Sequence, residues 1–181
     1  MNIQQIKKYW IDNDEELNLY KPSQLDNPRL SKPAFDFLVN CGLPNSCAPF
    51  LSFDDCQTIK ILTPNEVFNI EIEELNDYLW IGSNGSGDPV CIDLNCNNEI
   101  VYLNHDNDFE RVFINSSLET LSQCLIIYQN FIRSVNATNN SNYLNRNFSD
   151  KVVEQLKQGL MEVDTKCIGD NTMWGMDLYY M

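Results

Sequence analysis

Apolar positions recur along this chain with two different periods. From Leu118 onward, Leu121, Leu125, Tyr128 and Ile132 follow at helical spacing, and Cys124, Ile127, Phe131 and Val135 widen the stripe. Ser116 and Glu119 precede this run in the S-x-x-E arrangement that closes a helix N-terminus. Upstream the period shortens. Tyr78 to Ile81 is β-rich in composition and ends at Gly82, and Val90, Ile92 and Leu94 alternate with Cys91 and Asp93. Ile100 to Leu103 and Arg111 to Ile114 read as further strands, as do Phe50 to Phe53 and Thr58 to Leu62. Short connections between such strands predict an antiparallel meander, and the broad apolar face of the later helix predicts its cover.

The flanks are helical. Ile3, Ile6 and Trp10 mark a weak amphipathic helix over 3–10. Ser31 is placed to cap a second helix through Ala34, Phe35, Leu38 and Val39, with Pro33 in its first turn and Gly42 ending it in the left-handed conformation. The Asn-rich stretch after Asn136 has little apolar pattern. A last helix is expected from Ser149 or Asp150 through Val152, Val153, Leu156, Leu160 and Met161. The tail MWGMDLYYM is aromatic, suited to docking on the core or to meeting a partner. The expected fold class is α+β, a mixed-length antiparallel meander covered by helices on one face. The expected organisation is one domain over 1–135, an Asn-rich loop or linker over 136–148, and a helix with an aromatic tail over 149–181 packed on that domain.

Charge narrows the functions open to this fold. The 181 residues include 12 Lys and Arg against 26 Asp and Glu, a net charge of −14. Phosphate binding needs clustered cations, and no such run exists, so nucleic acid and anionic membranes are excluded as expected partners. A basic protein surface is the partner that this long-range field would attract. The N-terminal residues show no apolar signal core, and no apolar run approaches membrane-spanning length, so a cytoplasmic location is expected. The seven cysteines, Cys41, Cys47, Cys56, Cys91, Cys96, Cys124 and Cys167, contain no Cys-x-x-Cys pair and read as small core residues.

Candidate chemistry is sparse. IGSNGSGDP follows a strand but has neither G-x-G-x-x-G spacing nor a Gly-Lys-Ser/Thr, and another strand follows it where a phosphate loop needs a helix. It reads as a hairpin, with Asp88 free to bond loop amides. Asp93, Asn95 and Asn97 open like a calcium loop, yet Asn98 stands at the glycine position and Asn104 at the final Glu position. Cys41 and Cys47 with Cys91 and Cys96 have poor spacing for zinc. His105 is the only histidine, so a Cys–His pair with Cys91 or Cys96 is the one nucleophilic arrangement to test. No cofactor, no metal and no enzymatic activity are expected. Two acidic segments are the candidate partner-binding residues: Glu71, Glu73, Glu74 and Asp77, and then Asp106, Asp108 and Glu110. Rim charges carry little energy singly, so Trp80, Trp174, Tyr179 and Tyr180 are the anchors to look for if exposed.

These residues carry a resemblance. LWIGSNGSGDPVCIDL, EIVYLNHD and VFINSSLETLSQCLIIY, together with FDFLVNCGLP upstream, resemble the SUKH superfamily of fungal cell-wall assembly regulators and bacterial immunity proteins. The pattern falls on Trp80, Ile81-Gly82, Gly87-Asp88, Asp93, Val101-Tyr102 and Ser116-Ser117, and covers roughly residues 30–133. The resemblance implies a non-catalytic α+β protein. In bacterial members it implies neutralisation of a cognate toxin, often a basic nuclease domain, in competition between neighbouring cells. The alternative is a regulatory or scaffold protein of the same fold acting on cellular partners. A monomer or weak dimer is expected.

Overall fold

The computed structural model describes residues 1–53, 59–137 and 142–181. Helix α1 (Ile3–Asp12) is closed by an Asn2–Gln5 capping box and buries Ile6 and Trp10. Strand β1 (Leu17–Asn18) then pairs with β2 (Leu43–Pro44) beyond helix α2 (Lys32–Asn40). Ser31 caps α2 through the Ala34 amide, as its position predicts. Gly42 takes φ +74° against the Asn18 carbonyl, where a Cβ would sit only 2.3 Å from the oxygen.

The main sheet has six strands in the order β3 (Ser46–Cys47), β4 (Leu51–Phe53), β5 (Tyr78–Ser83), β6 (Pro89–Asp93), β7 (Glu99–Asn104) and β8 (Glu110–Asn115). Every neighbouring pair is antiparallel, so the meander expected from the short connections is the observed topology. Gly82 sits beside a register shift in β5, and a Cβ there would lie 2.2 Å from the Ser52 carbonyl. Only a glycine lets β4 approach β5 so closely. The strand expected over 58–62 is not found: Thr58 lies outside the described residues, and 59–62 have no strand partner. Leu62 merely accepts one bond from the Trp80 amide before Thr63 caps α3 (Pro64–Phe68). One bond to a strand end does not make a ladder.

Helix α4 (Leu118–Asn136) covers the first face of the sheet. It buries Leu118, Leu121, Cys124, Leu125 and Tyr128 against Leu79, Ile81, Val90, Ile92, Ile100 and Ile114. Ser117, not Ser116, is its N-cap: Ser117 pairs reciprocally with Thr120, because Ser116 is already held by another carboxylate. Helices α1 and α2 join this core, with the Trp10 indole N–H donating to the buried Ser122 hydroxyl at 2.9 Å. Helix α5 (Asp150–Val163) lies on α4 through Leu156 and Leu160. In the described part of the loop after Asn136, Asn142 donates to the Val135 carbonyl, and Tyr143 packs edge-on against Tyr128 and Phe131. The tail forms α6 (Met173–Tyr179), docked on β8 with Trp174 wholly buried.

The second face is not bare. Leu75, Cys91, Val101 and Leu103 form a small separate cluster, with Ile70, Ile72, Tyr78, Trp80 and Phe109 around it. Its cover is α3 and the 3-10 turn Glu73–Asp77.

Because α4 carries the main core, Leu125→Ala should lower unfolding free energy by about 2–5 kcal/mol in urea titration. A cost under about 1 kcal/mol would mean that the helix is not what holds the sheet.

Candidate partner-binding site

The meander puts all its turns at two ends. Tyr78, Asp93, Glu99 and Asn115 mark one end of β5–β8, while Ser83, Pro89, Asn104 and Glu110 mark the other. The two acidic segments therefore separate. Asp106, Asp108 and Glu110 are exposed on the β7–β8 turn at the second end. Glu71, Glu73 and Glu74 are exposed along the cover of the second face, and Asp77 reaches the first end, where it is half-buried. Arg29 and Asn95 both bond the Asp77 carboxylate at 2.7 Å, and the Arg29 bond holds its pKa below the usual value. Asp77 is thus already neutralised within the chain. The two segments share one feature, since Ile70 and Ile72 from one and Phe109 from the other pack on the same small cluster.

The motif residues do structural work around these turns. Asp88, 5% exposed, accepts from the Asn84 amide group at 2.8 Å, from the His105 backbone amide at 3.0 Å and pairs with His105 Nδ1 at 2.6 Å. Loop amides are taken instead by Asn84, whose oxygen accepts from Ser86 and Asp88. Gly87 turns the hairpin at φ +87°. Asp93, 2% exposed, accepts the Asn95 and Cys96 amides and the Arg111 Nε at 2.7 Å. Arg111 also reaches Glu99, and Lys166 caps Glu99 from outside. The Asp93 oxygens are thereby spent on internal donors. Among the described residues no group of three His, Cys, Asp or Glu side chains is placed to hold a metal. Trp80 packs on the second-face cluster, and its buried indole N–H finds no hydrogen-bond partner among the described residues. Tyr102 is half-buried on the first face.

The Cys–His pair is split by the fold. Cys96 and His105 flank opposite ends of β7, a separation of roughly 17–20 Å at the usual rise per residue. Cys91 is wholly buried, and burial pushes its thiol well above the ordinary value. Burial and then the Asp93 carboxylate raise Cys96 too, so neither thiol is poised as a nucleophile.

A different surface forms beside the β7–β8 turn. Three adjoining shallow grooves, of about 500, 480 and 630 Å³, run from the β3–β4 hairpin across the β5–β6 turn to α6. Pro49, Phe50 and Gly85 line the first two, and Met176 and Tyr180 line the last two. Phe50 is 70% exposed, Leu144 74%, Tyr179 84% and Tyr180 63%. Tyr179 and Tyr180 are the exposed aromatics anticipated from the tail; Trp174 and Trp80 are not. Phe50, expected to open a strand, instead lies in the turn before β4 at φ +65°, and Leu144 has no signal in the sequence beyond being apolar in a polar loop.

A family model described as SUKH-4 immunity protein matches residues 14–180. The chain belongs to the SUKH-4 immunity protein family. No curated protein and no solved structure matches it. The SUKH-4 match extends the resemblance seen over roughly 30–133 to the whole C-terminal region, and the tail is therefore part of the family's fold.

Two carboxylates, Asp164 buried and Asp177 half-buried, attach that tail, and their pKa values move in opposite directions. Asp164 accepts from the Ser116 amide at 2.7 Å, the Ser116 hydroxyl at 3.0 Å and the Asn115 amide group at 3.1 Å. Asn115 in turn accepts from the Trp174 indole at 2.9 Å. Burial alone would raise the Asp164 pKa, but these donors outweigh it and lower the value. Asp177 accepts from the Tyr128 hydroxyl at 2.5 Å, yet burial dominates and raises its pKa despite that bond and the nearby Arg146. Asp164 therefore contributes stability that is full above the unfolded carboxyl value of about 3.9 and is lost as pH falls through the lower native value. Asp177 behaves oppositely, favouring folding below about 3.9 and losing that contribution as pH rises through its raised native value. In denaturation between pH 2.5 and pH 7, Asp164→Asn should cost about 1–3 kcal/mol at neutral pH and little in acid. Asp177→Asn should be neutral or stabilising at pH 7. Equal costs for both variants at every pH would contradict this assignment.

Proposed function

We propose that this SUKH-4 protein binds a cognate basic toxin domain, of nuclease type, and neutralises it by covering its active surface. Membership of an immunity family is the observation that carries the reading. The charge of −14 agrees with it, since a nuclease that holds a polyanion offers a cationic face to an acidic one. Glu71, Glu73, Glu74, Asp106, Asp108 and Glu110 are exposed and steer such a partner; Asp77, tied to Arg29, contributes less. The mechanism is steric and electrostatic occlusion, with no bond made or broken. Most of the acids act at a distance, raising the association rate more than the final affinity.

Co-expression with the toxin domain encoded beside this gene should restore growth and yield a 1:1 complex on gel filtration. Raising salt from 50 to 500 mM should slow association by about tenfold or more. Growth arrest despite co-expression, with no complex formed, would reject the reading.

A further inference from the structure

The grooves at the second end of the sheet combine features that a solvated surface does not ordinarily carry. Phe50 is a bulky aromatic at φ +65°, a left-handed conformation that costs such a residue free energy. Its Cβ lies 2.9 Å from where a Cβ on Gly85 would stand, so the hairpin turn leaves room for this ring. Folding thus holds an exposed aromatic in a strained position beside a groove. Across the groove stands Tyr180, edge-on to Tyr179 at 5.3 Å between ring centres. A contiguous apolar surface of this kind on a strongly charged chain marks an interaction site.

The charges that line it have one sign. Among the described residues lining the three grooves, Asp170 and Asp177 are the charged ones, with neither Lys nor Arg among them. Arg146 lies close enough to act on Asp177 and Tyr143, which leaves Asp170 as the uncompensated lining charge. The acidic turn carrying Asp106, Asp108 and Glu110 is tied to the groove wall, because His105 is bonded to Asp88 and Asp88 to Asn84, which lines two of the grooves. An aromatic centre with an acidic border has the layout of an interface core and its polar rim. One side chain matches both parts: a guanidinium stacks flat on aromatic rings and pairs with carboxylates.

We propose that the surface formed by Phe50, Tyr179, Tyr180, Leu144 and Asp170 is the docking anchor for an arginine-bearing basic face of the partner. The inference rests on the neutralisation of a toxin proposed above and specifies where the toxin sits. The acids over the second face then contribute steering, while this end contributes the energy of binding. Self-association through the same surface is disfavoured, since it would bring two acidic borders together.

The test uses the full chain and the toxin domain encoded beside its gene. In the wild-type complex, amide exchange should slow over residues 46–52 and 168–180. Phe50→Ser and Tyr180→Ser should each weaken binding by about tenfold or more with unchanged melting temperature, as truncated aromatic anchors do. Tyr180→Phe should retain most of the affinity, because the ring is kept. Charge removal at Glu71, Glu73 and Glu74 together should slow association without changing the dissociation rate. If the wild type binds while both serine variants bind equally well, and protection falls on the second face instead, the anchor is wrong and the neutralisation reading stands. If the wild type does not bind at all, both fall. Dimerisation of the free chain that Tyr180→Ser abolishes would assign the surface to a second copy and overturn the proposal.

Discussion

Strand β6 is buried at every one of its five positions. An antiparallel strand that is dry on both faces must be covered from both sides, and much of the architecture answers that requirement. Helix α4 meets it on the first face with a stripe running from Leu118 to Phe131. On the second face the cover is much thinner, a short helix and a 3-10 turn whose Leu75 reaches Cys91, Val101 and Leu103. Where this cover stops, the face is finished by Arg111 lying across Asp93 and Glu99. A nearly buried carboxylate is tolerated there because its oxygens meet two backbone amides and a guanidinium.

The C-terminal region is attached by polar groups in a dry place. Asp164 satisfies the Ser116 amide at the start of α4, and Asn115 links that carboxylate to the Trp174 indole. The end of β8, the start of α4 and the tail are thereby fixed to one another. Such a network holds geometry more firmly than apolar contact alone, since each unpaired member would carry a desolvation cost. It also decides what the molecule displays. Burying Trp174 and Met173 turns Tyr179 and Tyr180 outward beside Phe50.

Most of the exposed charge therefore stands away from the aromatic surface, with Asp170 and one acidic turn at its border. Exposed acids are spread over α1, α5, the second face and the β7–β8 turn, where solvent screens each of them and each contributes little binding energy. Phe50, Tyr179 and Tyr180 gather at one end, where under the proposed docking a partner would exclude water. An immunity protein must meet its toxin quickly and release it rarely. Long-range field suits the first demand and a desolvated aromatic centre the second.

Much of the fold was legible in the residues. The stripe of α4, the alternating strands and the glycines of the β5–β6 connection encode local periods and turn conformations, which act between near neighbours in the chain. Helix α3 was not anticipated, although Thr63 and Glu66 stand at capping-box spacing, because its five residues are too short to show a helical period. The choice of Ser117 over Ser116 as the cap was not, because a carboxylate 48 residues further along decides it. Nor was the parting of the two acidic segments to different surfaces, or the meeting of Phe50, Leu144 and Tyr180, which come from three distant loops. Composition and short-range spacing set most of the elements and the overall charge, since both act between near neighbours in the chain. Which polar groups are spent internally and which apolar ones remain outside emerges only on folding, because it depends on packing between segments far apart in the chain.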